Sequence, residues 1–188
     1  MNQPINVLGI AGSLREDSYN HALLEAAQKV AEGVMTITIT DLADIPPFNE
    51  DVEADGDPDA VRDLKQLIDD SDALLIATPE YQHGVPGVLK NALDWASRPP
   101  GGAPLAGKPT AIMGATPGDF GTARAQEQLR QTLIYNDCPM VKTPEVLVAN
   151  AENKVDESGA FDDDETLDFI RQLLESLESL VRTHRDRS

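Results

Sequence analysis

The strongest constraint on this chain is a rhythm. Five times, a short apolar or β-branched run stops at a polar or Gly/Pro-containing turn and gives way to a helix-period pattern. The runs are residues 5–10, 35–40, 73–77, 109–115 and 145–148. Continuous apolar runs such as 5–10 and 73–77 suit strands covered on both faces, and 35–40 alternates Ile with Thr as a strand does. Between them, apolar side chains recur at helical spacing. Leu23, Leu24, Ala27 and Val30 share one side; so do Val61, Leu64, Leu67 and Ile68. Residues 87–97 and 121–135 read as helices, and Leu167, Ile170, Leu173, Leu174, Leu177 and Val181 form the core stripe of a last helix over 164–181. Strands alternating with helices dictate an α/β fold: a parallel, doubly wound sheet that binds ligands beyond the carboxyl ends of its strands. The loops after the first, third and fourth strands are therefore the ones to read for chemistry.

At 188 residues the chain suits a single domain over 1–188. Its first four residues lead straight into the first apolar run, which reads as no secretory signal, and no run is long enough to cross a bilayer. With 33 acidic against 15 basic residues the formal charge is -18, which excludes a nucleic-acid groove and disfavours an anionic membrane surface. Acids scattered over the whole chain fit a surface adapted to high salt; an ordinary acidic cytoplasmic protein is the alternative. The lone Cys138 allows no disulfide within the chain, consistent with a reducing cytoplasm. The acidic run before the last helix reads as a solvated N-cap, since no calcium-ligand spacing follows.

The first loop lacks both the dinucleotide glycine fingerprint and the triphosphate loop motif. It offers instead Ser13, Ser18 and Asn20 beside the amides of a helix start, with the Arg15 guanidinium. A cap needs one such residue; this set matches a terminal phosphate monoester. In the third loop, Pro79 and Gly84 shape the backbone while Tyr81 and His83 bring flat side chains, so a planar ring can lie there with its polar edge on backbone groups. The fourth loop adds Thr116 and two glycines that permit close approach. Phosphate at one end and a planar ring at the other describe flavin mononucleotide (FMN).

The stretches GSLREDSYNHALLEAA, PEYQHGVPGVLKNALDWASRP and LAGKPTAIMGATPGDFGTARAQEQLRQTL resemble the NADPH-dependent FMN reductase family, which includes bacterial quinone, azo-dye and chromate reductases. The resemblance runs over 7–148. It implies a flavodoxin-like three-layer sandwich around a five-stranded parallel sheet of order 2-1-3-4-5. By it, Ser13, Arg15, Ser18 and Asn20 hold the FMN phosphate, Pro79, Glu80, Tyr81, Gln82 and Gly84 frame the isoalloxazine, and Thr116 and Gly121 lie along its other edge. Two positions depart from the family habit: Gln82 stands where Asn is common after the Tyr, and Gly121-Thr122 where a Gly pair is common.

The implied reaction passes hydride from NADPH or NADH through FMN to a small oxidised acceptor: a quinone, free flavin, azo compound or metal oxyanion. The flavin carries the chemistry, which accounts for the lack of a Ser-His-Asp arrangement, metal-ligand cluster or activated cysteine motif in the sequence. The resemblance also implies a homodimer or homotetramer. A flavodoxin-type electron carrier is the alternative, though the Arg-containing first loop is unlike the usual Thr/Ser- and Gly-rich cradle; a flavin-free module and a dehydrogenase fit the loops less well. Several residues carry plainer readings beside the functional one. Trp95 reads as core or subunit packing, Tyr81 as scaffold or partner contact, Cys138 as a buried small hydrophobe and His21 as a surface residue. Glu80 offers its backbone to the ring, with its carboxylate solvated or paired across an interface to an Arg such as Arg124. Val88, Leu89 and Leu93 serve core or interface.

Overall fold

A computed structural model describes residues 4–186; Met1 to Gln3, part of the segment read above as carrying no secretory signal, lie outside them. Five strands, β1 (Ile5–Ala11), β2 (Met35–Thr40), β3 (Ala73–Ala77), β4 (Thr110–Ala115) and β5 (Val146–Val148), pair in parallel in the order β2-β1-β3-β4-β5. The helices are α1 (Tyr19–Val30), α2 (Glu50–Ala54), α3 (Asp59–Asp69), α4 (Gly87–Ala96), α5 (Ala123–Tyr135) and α6 (Asp164–Arg185). This is the flavodoxin-like three-layer arrangement expected from the sequence.

Because successive strand side chains point to opposite faces, the sheet builds two cores. Val7, Leu75 and Met113 pack with Leu23, Leu24, Ile170, Leu173 and Leu174 under α1 and α6. Leu8, Ile10, Leu74, Ile76 and Ile112 pack with Leu64, Ile68, Leu89, Leu93, Leu129 and Leu133 under α3, α4 and α5. Each of these large side chains, once buried, is worth about 1.5–3 kcal/mol. Leu89 and Leu93 are thus core residues. Leu67, expected to face inward, is instead 36% exposed, since the 100° helical step carries it past the edge of the stripe set by Leu64 and Ile68.

The long connection over 44–58 is tied down. It contains α2, whose N-cap Asn49 accepts from the Asp51 amide at 2.9 Å. Trp95, fully buried, donates from Nε1 to Pro46 O at 2.8 Å and meets Phe48 edge-on at 4.9 Å, while Glu53 takes the Arg98 Nε–H at 3.0 and 3.1 Å. Trp95 is therefore core packing for this strap. Cys138 is buried, and burial pushes its thiol up to about 11, so it is the small hydrophobe expected. Asp163 caps α6 through the Thr166 amide at 2.9 Å. His21 lies on the surface beside Glu25 at 3.7 Å. No helix among the described residues is long and apolar enough to cross a membrane.

Chain order fixes where a ligand can sit. After β1 the chain moves to β2 on one side; after β3 it moves to β4 on the other. The loops following β1 and β3 therefore diverge and leave a crevice at the strands' carboxyl ends.

Candidate functional site

The loop after β1 is pulled close to the one after β3. Gly12 N–H donates to Ala77 O at 2.9 Å, and a Cβ at Gly12 would stand 3.1 Å from Pro79 Cδ, so a side chain there would push the loops apart. The Ser13 and Tyr81 hydroxyls are 3.3 Å apart. Ser18 is the N-cap of α1, its Oγ accepting from the His21 amide at 3.3 Å. That leaves the amides of Tyr19 and Asn20, in the helix's first turn, without an intrahelical acceptor. Arg15 is exposed beside them, and its own amide donates to Ser13 Oγ at 3.3 Å. Hydroxyls, helix-start amides and a guanidinium thus converge on one turn, a donor set suited to a phosphate monoester.

Asn20 is only 3% exposed, and its side chain has a specific structural task. Nδ2 donates to Ala115 O at 2.9 Å and Oδ1 accepts from Ala115 N–H at 3.0 Å. The amide completes the backbone pairing of β4 at its carboxyl end and fixes α1 against it. Thr116 lies one residue beyond: its N–H donates to Val148 O at 3.0 Å, and its Oγ1 accepts from Gly118 N–H at 3.3 Å.

In the loop after β3, Tyr81 and Gly84 exchange backbone bonds of 3.2 and 3.0 Å, closing a two-residue turn. The two residues inside it, Gln82 and His83, have φ of 49° and 62°. Gly121 and Thr122 have φ of 55° and 67°. Both departures from the family habit therefore fall on left-handed backbone, where Asn and Gly are the easy residues and others cost about 1–3 kcal/mol. Thr122 is fully buried with Oγ1 accepting from Gln126 Nε2 at 3.1 Å. Gly121 presses on β5, and a Cβ there would lie 2.6 Å from the Leu147 carbonyl carbon and oxygen.

Glu80 joins the two sides of the crevice. Its carboxylate accepts from the Arg124 and Ala125 amides at 2.9 and 3.2 Å and from the Arg124 guanidinium at 3.0 Å. Thr122, the residue at the N-cap position of α5, makes no side-chain cap bond, so Glu80 caps this helix from another loop. Burial works to raise its pKa, but the bonds from Ala125 and Arg124 and the Arg124 charge outweigh it and hold Glu80 below the usual carboxylate range. The Arg124 pairing anticipated from the sequence is thus formed within one chain. Arg124 also lies over the exposed Phe120 ring, 4.2 Å from its centroid. Neither the capping role nor the α5 residue Gln128, which bonds the turn at His83 and Val85, was legible in sequence, where Thr122 stands ready as an ordinary N-cap for α5.

Two clefts border Arg15. One of about 240 Å³ is shared with Ser13, Leu14, Glu16, His21 and Asp41. The other, about 690 Å³, lies between α1 and the 155–160 turn; Ser18 and Tyr19 of the helix start line it together with Lys29 and the acids Glu16, Asp17, Glu25, Asp156 and Glu157, whose charge disfavours an anion away from the helix-start amides. Among the described residues no cluster of three or more His, Cys, Asp or Glu side chains is placed to hold a metal.

The sequence profile of the NADPH-dependent FMN reductase family matches residues 5–153. An NAD(P)H-dependent FMN reductase of Pseudomonas aeruginosa is 50% identical over 182 residues, covering 97% of this chain and 98% of its own. A quinone reductase of Pseudomonas putida is 37% identical over 185 residues, 98% of this chain and 99% of its own. In solved structures, the flavoenzyme NAD(P)H:(acceptor) oxidoreductase FerB of Paracoccus denitrificans superimposes with a TM-score of 0.86 at 37% identity, over 96% of this chain and 98% of that one. With the crevice, its three loops and full-length likeness in agreement, the chain belongs to the NADPH-dependent FMN reductase family.

Proposed function

We propose that the protein is an NAD(P)H-dependent reductase that uses FMN to reduce a quinone or similar small acceptor. The observation that carries this reading is the convergence at the β1/β3 switch point of a hydroxyl- and guanidinium-bearing turn with a left-handed turn braced by neighbouring elements. When bound, FMN supplies the hydride chemistry. Ser13, Arg15 and Ser18, with the first-turn amides of α1, hold its phosphate. Asn20 keeps that helix start in place through Ala115 and offers its backbone amide. Pro79, Glu80, Tyr81, Gln82 and Gly84 frame the ring with backbone groups, because the Glu80 carboxylate is already engaged with α5. Thr116 and Gly121 lie on the far side, at the end of β4.

The names of the relatives favour a quinone as acceptor; free flavin, azo compounds and metal oxyanions are the further candidates. The exposed Tyr81 and Phe120 beside the crevice suit a flat acceptor or a second subunit of a homodimer or homotetramer. A salt-rich cytoplasm accounts for the charge of -18.

The test is the visible spectrum of the purified protein with FMN in high salt, then with anaerobic NADPH or NADH, then with a quinone. Bound-flavin absorbance that bleaches with nucleotide and returns with quinone is expected. Flavin that binds yet stays oxidised would replace the reductase by an electron carrier, and absent binding would overturn the site.

A further inference from the structure

The turn that frames the crevice does not hold itself. Tyr81 and Gly84 exchange two backbone bonds around Gln82 and His83, both at positive φ. Two-residue turns of this kind are ordinarily built from Asn-Gly or Asp-Gly, because a Cβ in the left-handed region crowds its own backbone. Gln-His contains no glycine, so its shape has to be supported from outside.

Gln128, on the second turn of α5, reaches across 45 residues of sequence to provide that support. Its Nε2 donates to His83 O at 3.3 Å, and its Oε1 accepts from Val85 N–H at 3.3 Å. A Cβ on Gly84 would stand 2.6 Å from Oε1, so the glycine at 84 makes room for this amide. One side chain thus bonds the backbone inside the turn and just past it. Glu80 fastens the loop upstream by a nearly buried carboxylate, whereas Gln128 fastens it downstream from an exposed position. The two bonds are long and solvent-facing, and their effect on overall stability is correspondingly small. Their effect falls on the turn.

We propose that Gln128 is a positioning residue that holds residues 81–84 in the left-handed shape which presents the loop to the flavin. This rests on reading that loop as part of the flavin site. The assignment requires an amide at 128, since one bond needs a donor and the other an acceptor.

The test is Gln128→Ala in the full-length protein, with FMN titration, the visible band shape of bound flavin, and thermal unfolding without flavin. About a tenfold weaker FMN affinity and an altered band shape are expected, the consequence of losing two neutral hydrogen bonds, with the unfolding temperature unchanged. Adding Gln82→Asn and His83→Gly, which form such a turn unaided, to Gln128→Ala should restore both readouts. Unchanged affinity in Gln128→Ala, or a loss that this pair does not rescue, would overturn the clamp. Hydrogen exchange of the Tyr81 and Gly84 amides in the flavin-free protein decides the matter separately: faster exchange in Gln128→Ala supports the clamp, and equal exchange refutes it. If wild-type protein failed to bind FMN, the flavin reading would fall and this exchange result would still judge Gln128.

Discussion

The two ends of the sheet handle left-handed backbone differently. At the amino ends of the strands, where helices turn back into β2 and β4, the positive-φ positions are Gly33, Gly101 and Gly107, with Asp137 the exception before β5. At the carboxyl ends Gly56, Gly121 and Gly159 are joined by Gln82, His83, Thr122 and Asn150, each with a side chain. Two of these are braced by side chains of α5: His83 by Gln128, Thr122 by Gln126. Gln126 even leaves its own Oε1 buried without a partner among the described residues while its Nε2 serves Thr122 and Val146. Residues at the amino end are chosen for ease of turning. At the carboxyl end, His83 and Thr122 are instead held by side chains of α5, as expected where geometry serves a ligand.

A matched pair of substitutions sharpens this contrast. Gly121→Ala puts a Cβ 2.6 Å from Leu147 backbone at a φ of 55°, so strain and overpacking add; a loss of about 2–5 kcal/mol in urea unfolding is expected. Gly33→Ala has the same backbone handicap at φ 82° but meets nothing within 4 Å, so about 1–2 kcal/mol is expected. Equal losses at the two ends would break the comparison. Asn20→Ala follows in size: it orphans both the N–H and C=O of Ala115 in a dry site, for about 2–4 kcal/mol by the same measurement. A cost below about 1 kcal/mol would mean that water replaces the amide there.

Arg15→Ala separates binding from folding at the carboxyl end. Arg15 is exposed, so unfolding without flavin should be unchanged. Loss of a charge-assisted contact of about 1.5–3 kcal/mol weakens FMN affinity by roughly 10–100-fold, read by fluorescence titration. Unchanged affinity would remove the guanidinium from the phosphate site.

The fold was legible because it rests on periodicity. Strand runs such as Ala73–Ala77 and the α6 stripe carry their burial in their composition, and parallel strands separated by helices follow from their order. The turn proposed to take the phosphate stood out because its donors are neighbours in sequence. What escaped depends on contacts between distant residues. The Asn20 amide looks like a ligand group until Ala115, 95 residues on, is placed beside it, and α2 hides in the 44–58 loop because its helix buries no side chain of its own. Likewise Glu80 reads as an exposed loop acid until α5 is seen to lack a cap of its own.

Glu80 is also where the comparison meets pH. Its folded pKa is held below the model-peptide value of 4.5, so its ionised form favours the folded state. The sign follows from linkage: the stabilisation is fully present above about pH 4.5 and is lost as pH falls through the lower folded value. Glu80→Gln retains an acceptor for one α5 amide but removes the charge opposite Arg124. The variant should be less stable than the parent at pH 7, and the gap should narrow as the solution is acidified below pH 4.5, followed by urea midpoints across that range. Lys65 and Asp57, 2.6 Å apart beside the α2 strap, provide the control, since an Asp57→Asn variant leaves the crevice untouched. If Glu80→Gln lowered stability by the same amount at pH 3 as at pH 7, the carboxylate would be acting through its shape alone. The tie between the loop after β3 and α5 would then be a matter of packing, and the carboxyl end would differ from the amino end only in its backbone.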